Sequence, residues 1–145
     1  MTRMTSPIVR RVIYDLFDFE ASVLEDPGSS EEHRIDREIR FEMSDESCWF
    51  ASWTNTPVQH CVGFRRESFF LPGDCVTRDA SNHPLWANLI GKPIEFVVAD
   101  DGHQVVEVRA PSESVFLSSQ EKGNWEMDVL TVSRRRPEIP RLSPD

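Results

Sequence analysis

The stretch REIRFEMSDESCWFASW, residues 37–53, decides the fold class of this chain. Its first half alternates apolar and charged residues, so that Ile39, Phe41 and Met43 lie on one face of an extended strand. The polar sequence SDES, residues 44–47, then has the composition of a turn, and an aromatic-rich stretch returns after it. This pattern predicts a β-hairpin.

A second stretch, KPIEFVVADDGHQVVEV at residues 92–108, repeats the pattern, with Asp-Gly in its turn. The repeat continues, because ESFFL at residues 67–71 resembles ESVFL at residues 113–117. Two interpretations stay open. A duplicated unit would build a pseudo-symmetric site between its halves, whereas unrelated antiparallel hairpins also look alike because period-two patterning constrains them all.

Further alternating stretches predict additional strands at residues 60–72, 94–99, 104–109, 114–118 and 125–133. We therefore predict a mainly β fold, α+β at most, in which seven to eight mostly antiparallel strands form a sandwich or an open barrel. The acidic sequence EDPGSSEEH, residues 25–33, predicts a loop, and GDCVTRDASN, residues 73–82, is irregular.

Two segments bear on the helix content. In SPIVRRVIYDLFDFEASVLED, residues 6–26, a Ser-Pro pair and an apolar stripe fit a helix, but β-branched and aromatic residues favour a strand over residues 13–24. The sequence HPLWANLIG, residues 83–91, predicts one short helix near residues 84–90, because an early proline and a final glycine are typical helix boundaries.

The chain of 145 residues is long enough for one packed domain without disulfides or metals. We predict a single β-rich domain over residues 1–133. Residues 134–145, RRRPEIPRLSPD, are rich in proline and arginine and predict a flexible tail. Three irregularly spaced cysteines do not resemble a secreted disulfide framework. With neither a signal-peptide pattern nor a membrane-length apolar run, the expected location is the cytoplasm.

The charge is unevenly distributed. The net charge is −9, and the tail carries four arginines against Glu138 and Asp145, so residues 1–133 carry −11. Such a body repels nucleic acid and anionic membranes, and we expect neither as a partner. It favours association with a basic protein instead, although acidity can also serve solubility alone. The sequence leaves the oligomeric state open.

The sequence contains no common nucleotide-binding, metalloprotease, serine-hydrolase or calcium-binding motif. The best metal constellation, Cys48, His60, Cys61 and Cys75, is irregularly spaced, and adjacent residues of a strand point to opposite faces. These cysteines are better explained as small buried thiols than as metal ligands. We therefore expect no catalytic residues, no metal and no cofactor, and the sequence favours a non-enzymatic protein.

Four residues are candidates for partner binding. Trp49 and Trp53 lie on one face of the second strand of the first hairpin, where they serve as core residues if buried and as interface anchors if partly exposed. Arg65 and Arg66 form a basic island that could bind acidic groups or form salt bridges on a strand face.

The combination of DREIRFEMSDESCWFASW, GFRRESFF and PLWANLIGKPIEFVV resembles small β-rich bacterial proteins, some of them similar to immunity proteins of toxin systems. The resemblance implies a stand-alone intracellular domain that neutralises a partner by binding, and it supplies no catalytic residue. We therefore expect a binding protein of immunity or adaptor type. The alternative is a β-barrel or sandwich that binds a small molecule between the two pseudo-repeats.

Overall fold

The computed structural model describes residues 7–25, 32–54, 61–71, 73, 75–98, 105–119 and 130–136. Within these ranges the chain forms one 3-10 helix, Asp18–Glu20, and ten strands. The strands are β1 (Val9–Leu16), β2 (Glu32–Ile35), β3 (Glu38–Met43), β4 (Cys48–Thr54), β5 (Cys61–Arg65), β6 (Val76–Asp79), β7 (Glu95–Val98), β8 (Val105–Arg109), β9 (Ser114–Ser118) and β10 (Leu130–Ser133).

The strands form two five-stranded antiparallel sheets that pack as a sandwich. Sheet 1 has the order β5-β4-β3-β1-β6, and sheet 2 has the order β2-β10-β9-β8-β7. The chain crosses from sheet 2 to sheet 1 between β2 and β3, where only Asp36 and Arg37 separate the strands. The mainly β class is confirmed, and the sandwich is the form it takes, because neither sheet closes into a barrel.

More strands form than the seven to eight that the sequence predicted. The additional strand β2 begins within the loop predicted over residues 25–33 and extends beyond it, and β6 lies within the stretch expected to be irregular. Each is only four residues long, so its pattern is weak in sequence, and each is held by a neighbour instead. Strand β2 pairs with β10, and β6 pairs with β1 from Ile13↔Asp79 to Leu16↔Val76.

The hairpin of the deciding stretch is β3–β4, and it forms as predicted. Phe41 pairs with Trp49 across the two strands. The amide of Met43 donates to the carbonyl oxygen of Ser47 at 2.9 Å, and Glu46 adopts a positive φ of 69°. A type I turn followed by a left-handed residue is a common connection of this length, which explains why the turn needs that unusual backbone angle.

Aromatic side chains join the two sheets in the core. Phe41 of sheet 1 contacts Phe96 of sheet 2, with ring centroids 5.3 Å apart, and Phe64 of β5 lies 4.4 Å from the same Phe96 ring. Trp86 is fully buried and packs edge-on against Phe41 at 5.6 Å. The stripe of Ile39, Phe41 and Met43 therefore faces the core, as the alternation predicted.

The N-terminal segment is a strand over part of its length. Strand β1 covers Val9–Leu16, earlier than the predicted residues 13–24, and a 3-10 turn and further turns follow it up to residue 25. Strand β1 lies between β3 and β6, so its backbone is paired on both sides. Pairing with two neighbours overrides the helical pattern of the apolar residues.

The prediction of a short helix near residues 84–90 is wrong, since this segment forms consecutive turns. Most of its bonds span three residues, such as the Leu89 amide to the Trp86 carbonyl oxygen at 2.8 Å. Its end is tied to β1, because the Gly91 amide donates to the Val9 carbonyl oxygen at 2.8 Å. A segment this short has little helical stability of its own, so its buried side chains and these bonds decide its shape.

The internal repeat is only partly reproduced in the structure. Strands β3–β4–β5 and β7–β8–β9 are both meanders, but sheet 1 continues beyond β3, whereas sheet 2 continues beyond β9. The predicted strand over residues 60–72 ends at Arg65, so residues 67–71 are not in a strand, although their counterparts largely form β9. Whether the chain arose by duplication stays a prediction.

The chain leaves the sheets where the tail was predicted to begin. Arg134 donates a side-chain hydrogen bond to the carbonyl oxygen of Pro84, and the rest of the tail beyond residue 136 lies outside the described residues. Among the described residues, no helix is long and apolar enough to cross a membrane.

Candidate functional site

The two tryptophans singled out by sequence face the interior from β4 but remain half-buried. Arg66 lies over the Trp49 ring, with its guanidinium carbon 4.9 Å from the ring centroid, and Phe96 packs on the same indole at 6.1 Å. The Trp53 indole donates to the carbonyl oxygen of Asp36 at 3.0 Å. Both indoles are thus fastened to their own chain, and a role in partner binding stays a prediction.

The two arginines of the basic island are exposed and point to different aromatic rings. Arg65 lies over Phe69 at 5.2 Å, whereas Arg66 lies over Trp49. The structure therefore does not bring Trp49, Trp53, Arg65 and Arg66 into one cluster. They mark two separate cation–π contacts near the edge of sheet 1.

Residues 67–71, which we call the strap, cover part of the outer face of sheet 1. Phe69 packs over Gly63, where an added Cβ would lie 3.2 Å from the Phe69 ring and 2.7 Å from the Thr54 methyl carbon. Ser52, on the same outer face of the neighbouring strand, is fully buried. Glycine at position 63 therefore makes room for the strap.

The strap is fastened by one buried carboxylate. Glu38 is 1% exposed, and it accepts hydrogen bonds from the Ser68 hydroxyl at 2.5 Å and from the Phe69 amide at 2.9 Å. Arg37, also buried, lies 3.3 Å from the same carboxylate. Hydrogen bonds and an opposite charge offset the large cost of burying an ionised group.

Three phenylalanines form a continuous row that ends on the strap, and we call it the aromatic row: Phe19, Phe17 and Phe70. Phe17 stacks on Phe19 with centroids 5.7 Å apart and meets Phe70 edge-on at 5.5 Å. Phe19 is 75% exposed, and Leu71, which follows Phe70, is 89% exposed. An exposed aromatic ring that packs on further aromatic rings is a candidate interaction surface.

The 3-10 helix positions the exposed end of the row. Glu20 turns inward, and its carboxylate accepts hydrogen bonds from the amides of Phe17 at 2.9 Å, Asp36 at 2.7 Å and Arg37 at 3.1 Å. Burial raises the pKa of Glu20, although these amides oppose the shift. With Glu20 anchored to the crossing between the sheets, Asp18 and Phe19 are left facing solvent.

Other carboxylates of sheet 1 are neutralised within the sheet. Arg40 binds both oxygens of Asp15, at 3.0 and 3.2 Å, and reaches Glu42 at 2.7 Å. Arg11 also pairs with Glu42. These carboxylates are therefore paired with arginines, whereas Asp18 is exposed to solvent.

A second cluster is buried between β1, β2 and the turns at residues 83–91. The Trp86 indole donates to the Tyr14 hydroxyl oxygen at 2.6 Å, and that oxygen lies 2.7 Å from Nδ1 of His33. Nε2 of His33 lies 3.3 Å from Nε2 of His83. His33 falls in the loop predicted over residues 25–33, but it is 1% exposed, because β2 carries it into the sandwich.

Backbone geometry assigns the protons in this cluster. The Leu85 amide donates to Nδ1 of His83 at 3.1 Å, so neutral His83 carries its proton on Nε2 and donates it to His33. Nδ1 of His33 then donates to the Tyr14 oxygen. Burial, together with the charge of Arg134, lowers the pKa of His83, and burial raises the pKa of Tyr14. Both shifts favour the neutral forms.

The same assignment disfavours a metal at the two histidines. An ion bound by both Nε2 atoms would require a proton on Nδ1 of His83, where the Leu85 amide already points its own hydrogen. Within the described ranges, no three His, Cys, Asp or Glu side chains converge to hold a metal ion. Of the four residues weighed as ligands from sequence, His60 lies outside those ranges, while Cys48 and Cys75 are free thiols.

A shallow depression of about 190 Å³ lies at the start of β7, lined by Pro93, Glu95, Arg109, Ala110 and Pro111. Small-molecule pockets usually enclose roughly 300–1,000 Å³ and are largely apolar. This depression is too small and too charged to match that description.

The aromatic row was not predicted from the sequence. The signal that could have found it is the sequence DLFDFE, in which two phenylalanines alternate with acids and so point to the same side. Phe70, which contacts Phe17, lies far away in sequence.

No family model matches the chain, and no significantly similar curated protein or solved structure was found.

Proposed function

We propose that this chain is a cytoplasmic bacterial binding protein of immunity or adaptor type, and that it engages a basic protein partner. The observation that carries the proposal is Phe19, which is 75% exposed and follows the exposed acid Asp18. Aromatic residues surrounded by polar ones dominate the energetics of many protein interfaces.

Local charge supports a basic partner. Residues 15–25 contain four carboxylates, Asp15, Asp18, Glu20 and Glu25, and no basic residue. Asp15 of this stretch is paired with Arg40 and Glu20 is turned inward, so its acidic surface consists of Asp18 and Glu25, which are both exposed. A negative surface steers a positive partner and repels nucleic acid phosphates.

The alternative, a small molecule bound between the two pseudo-repeats, has weaker support. The side chains of Phe41, Phe64 and Phe96 occupy the space between the sheets where the two meanders face each other. No described feature favours a ligand there over the packed core.

The test is affinity capture from native host extract, at low and at physiological salt, with the captured proteins identified by mass spectrometry. A purified candidate is then titrated against the chain at increasing salt. We expect a basic protein whose affinity falls as salt rises, since screening weakens exposed charge pairs. Absence of any protein partner at both salt concentrations would contradict the proposal.

A further inference from the structure

We infer that the exposed end of the aromatic row recognises arginine side chains of the basic partner, with Phe19 as the stacking ring and Asp18 as the carboxylate acceptor. The inference rests on the proposed function and adds the chemical group that is recognised.

The inner end of the row holds a guanidinium of the chain itself. The Arg37 guanidinium carbon lies 5.0 Å from the Phe70 centroid and 5.9 Å from the Phe17 centroid. Its Nη1 lies 3.3 Å from the Glu38 carboxylate. A guanidinium is thus held by ring faces and by one carboxylate at the same time.

The outer end has an exposed ring, Phe19, and an exposed carboxylate at the preceding residue, Asp18. Phe19 stacks on Phe17 at an interplanar angle of 17°, so one face of its ring is covered while the side chain as a whole stays 75% exposed. Asp18, the preceding residue, is exposed. None of the cation–π contacts found among the described residues involves Phe19.

Arginine fits this end better than lysine does. A planar guanidinium can stack on a ring while its edge N–H groups bind a carboxylate, whereas an ammonium is a compact, strongly hydrated charge.

The experiment uses the full chain and two labelled peptides of equal length and charge, one alternating arginine with glycine and one alternating lysine with glycine. Binding is followed by fluorescence anisotropy. We expect the arginine peptide to bind about tenfold more tightly than the lysine peptide, the factor that corresponds to one partly desolvated cation–π contact. Equal affinities would overturn the inference.

Variants then locate the contact. Phe19→Ala should weaken the arginine peptide about tenfold and bring it close to the lysine peptide, and Asp18→Asn should weaken the arginine peptide more than the lysine peptide. Val98→Ala is the matched control, since Val98 is an exposed apolar residue, 47% accessible, on β7 of the other sheet. A cooperative unfolding curve for each variant is the check that it is folded.

The outcomes separate this inference from the proposed function. If Phe19→Ala leaves arginine binding unchanged while a basic partner is still captured, the row is not the contact and the proposed function survives. If neither peptide binds and no partner is captured, both fail. Loss of the captured partner with Phe19→Ala, but not with Val98→Ala, supports both.

Discussion

The imidazole rings of His33 and His83 meet edge to face, with their centroids 4.3 Å apart and their Nε2 atoms 3.3 Å apart. His33 belongs to β2 of sheet 2, and His83 begins the turns that carry Trp86 into the core. Because the Leu85 amide donates to Nδ1 of His83, the bond between them requires His83 to be neutral. The conformation of these turns therefore depends on the protonation state of His83.

We predict that acidification destabilises the fold through His83. Its pKa in the folded protein is lowered from 6.5, first by burial and then by Arg134, so the unfolded chain binds the proton more readily. Stability is fully present above pH 6.5, is lost as the pH falls below it, and stops falling once the folded protein is also protonated. Urea unfolding at several pH values measures this loss.

The matched variant for this test is His83→Asn, whose side-chain oxygen can still accept the Leu85 amide. It removes the titrating group, so its stability should change less over the same pH range than that of the natural chain. Carboxylates such as Glu20 titrate in both proteins and cancel in the comparison. An identical pH dependence in the two proteins would show that His83 does not titrate on unfolding.

The hydrogen bond from Trp86 to Tyr14 should contribute measurably to stability. Trp86→Phe removes the indole donor, which lies 2.6 Å from the buried hydroxyl, and leaves a small void beside Phe41. We expect a loss of about 2–4 kcal/mol in the free energy of unfolding, from the lost hydrogen bond and the void together.

A double-mutant cycle with Tyr14→Phe isolates the hydrogen bond. If the bond matters, Trp86→Phe should cost less in the Tyr14→Phe background, because the acceptor is already gone. Additive losses would mean that the indole acts through packing alone.

Glu38 should be the residue on which the strap depends most. Glu38→Ala removes the acceptor of Ser68 and Phe69 and leaves buried Arg37 without this carboxylate. We expect a loss of about 3–5 kcal/mol, the usual cost of removing one partner of a buried ion pair. Glu38→Gln keeps an acceptor oxygen for Phe69 and should lose less.

The control for this prediction is Glu67→Ala, an exposed acid in the strap itself, which should change stability by no more than about 0.5 kcal/mol. Chemical denaturation measures all three variants, and limited proteolysis reports whether the strap is released. A strap that stays protected in Glu38→Ala would mean that the packing of Phe69 over Gly63 holds it instead.

The turn of the first hairpin offers a stabilising substitution. Glu46 has a φ of 69°, a conformation that costs a non-glycine residue roughly 1–2 kcal/mol. Glu46→Gly should therefore raise the free energy of unfolding by about 0.5–1 kcal/mol, after the greater flexibility of glycine in the unfolded chain is subtracted.

The comparison for the turn is Asp45→Ala. The Asp45 carboxylate accepts hydrogen bonds from the amide and hydroxyl of Ser47, and these bonds lower its pKa. This substitution should destabilise the hairpin modestly. Thermal unfolding measures both variants, and a destabilised Glu46→Gly would mean that the turn does not keep this backbone angle in solution.

Much of the fold could be predicted from local patterns. The β3–β4 hairpin follows from alternation and a polar turn, and β9 has the predicted bounds of residues 114–118. The predicted helix near residues 84–90 failed because its apolar residues fit either a helix or turns, and the bond from Gly91 to Val9 favours turns. The aromatic row joins Phe17 and Phe19 to Phe70, which lies far away in sequence, and no local pattern predicts that contact.

The sequence by itself determined the class of this protein, because the period-two placement of apolar residues is a property of each strand alone. Only the tertiary structure decided which strands are neighbours, since β2 and β6 are too short to be recognised without the partners that hold them. It also decided which polar residues are buried. Glu38 and His33 look like surface residues in the sequence, but hydrogen bonds from distant segments offset the cost of removing them from water.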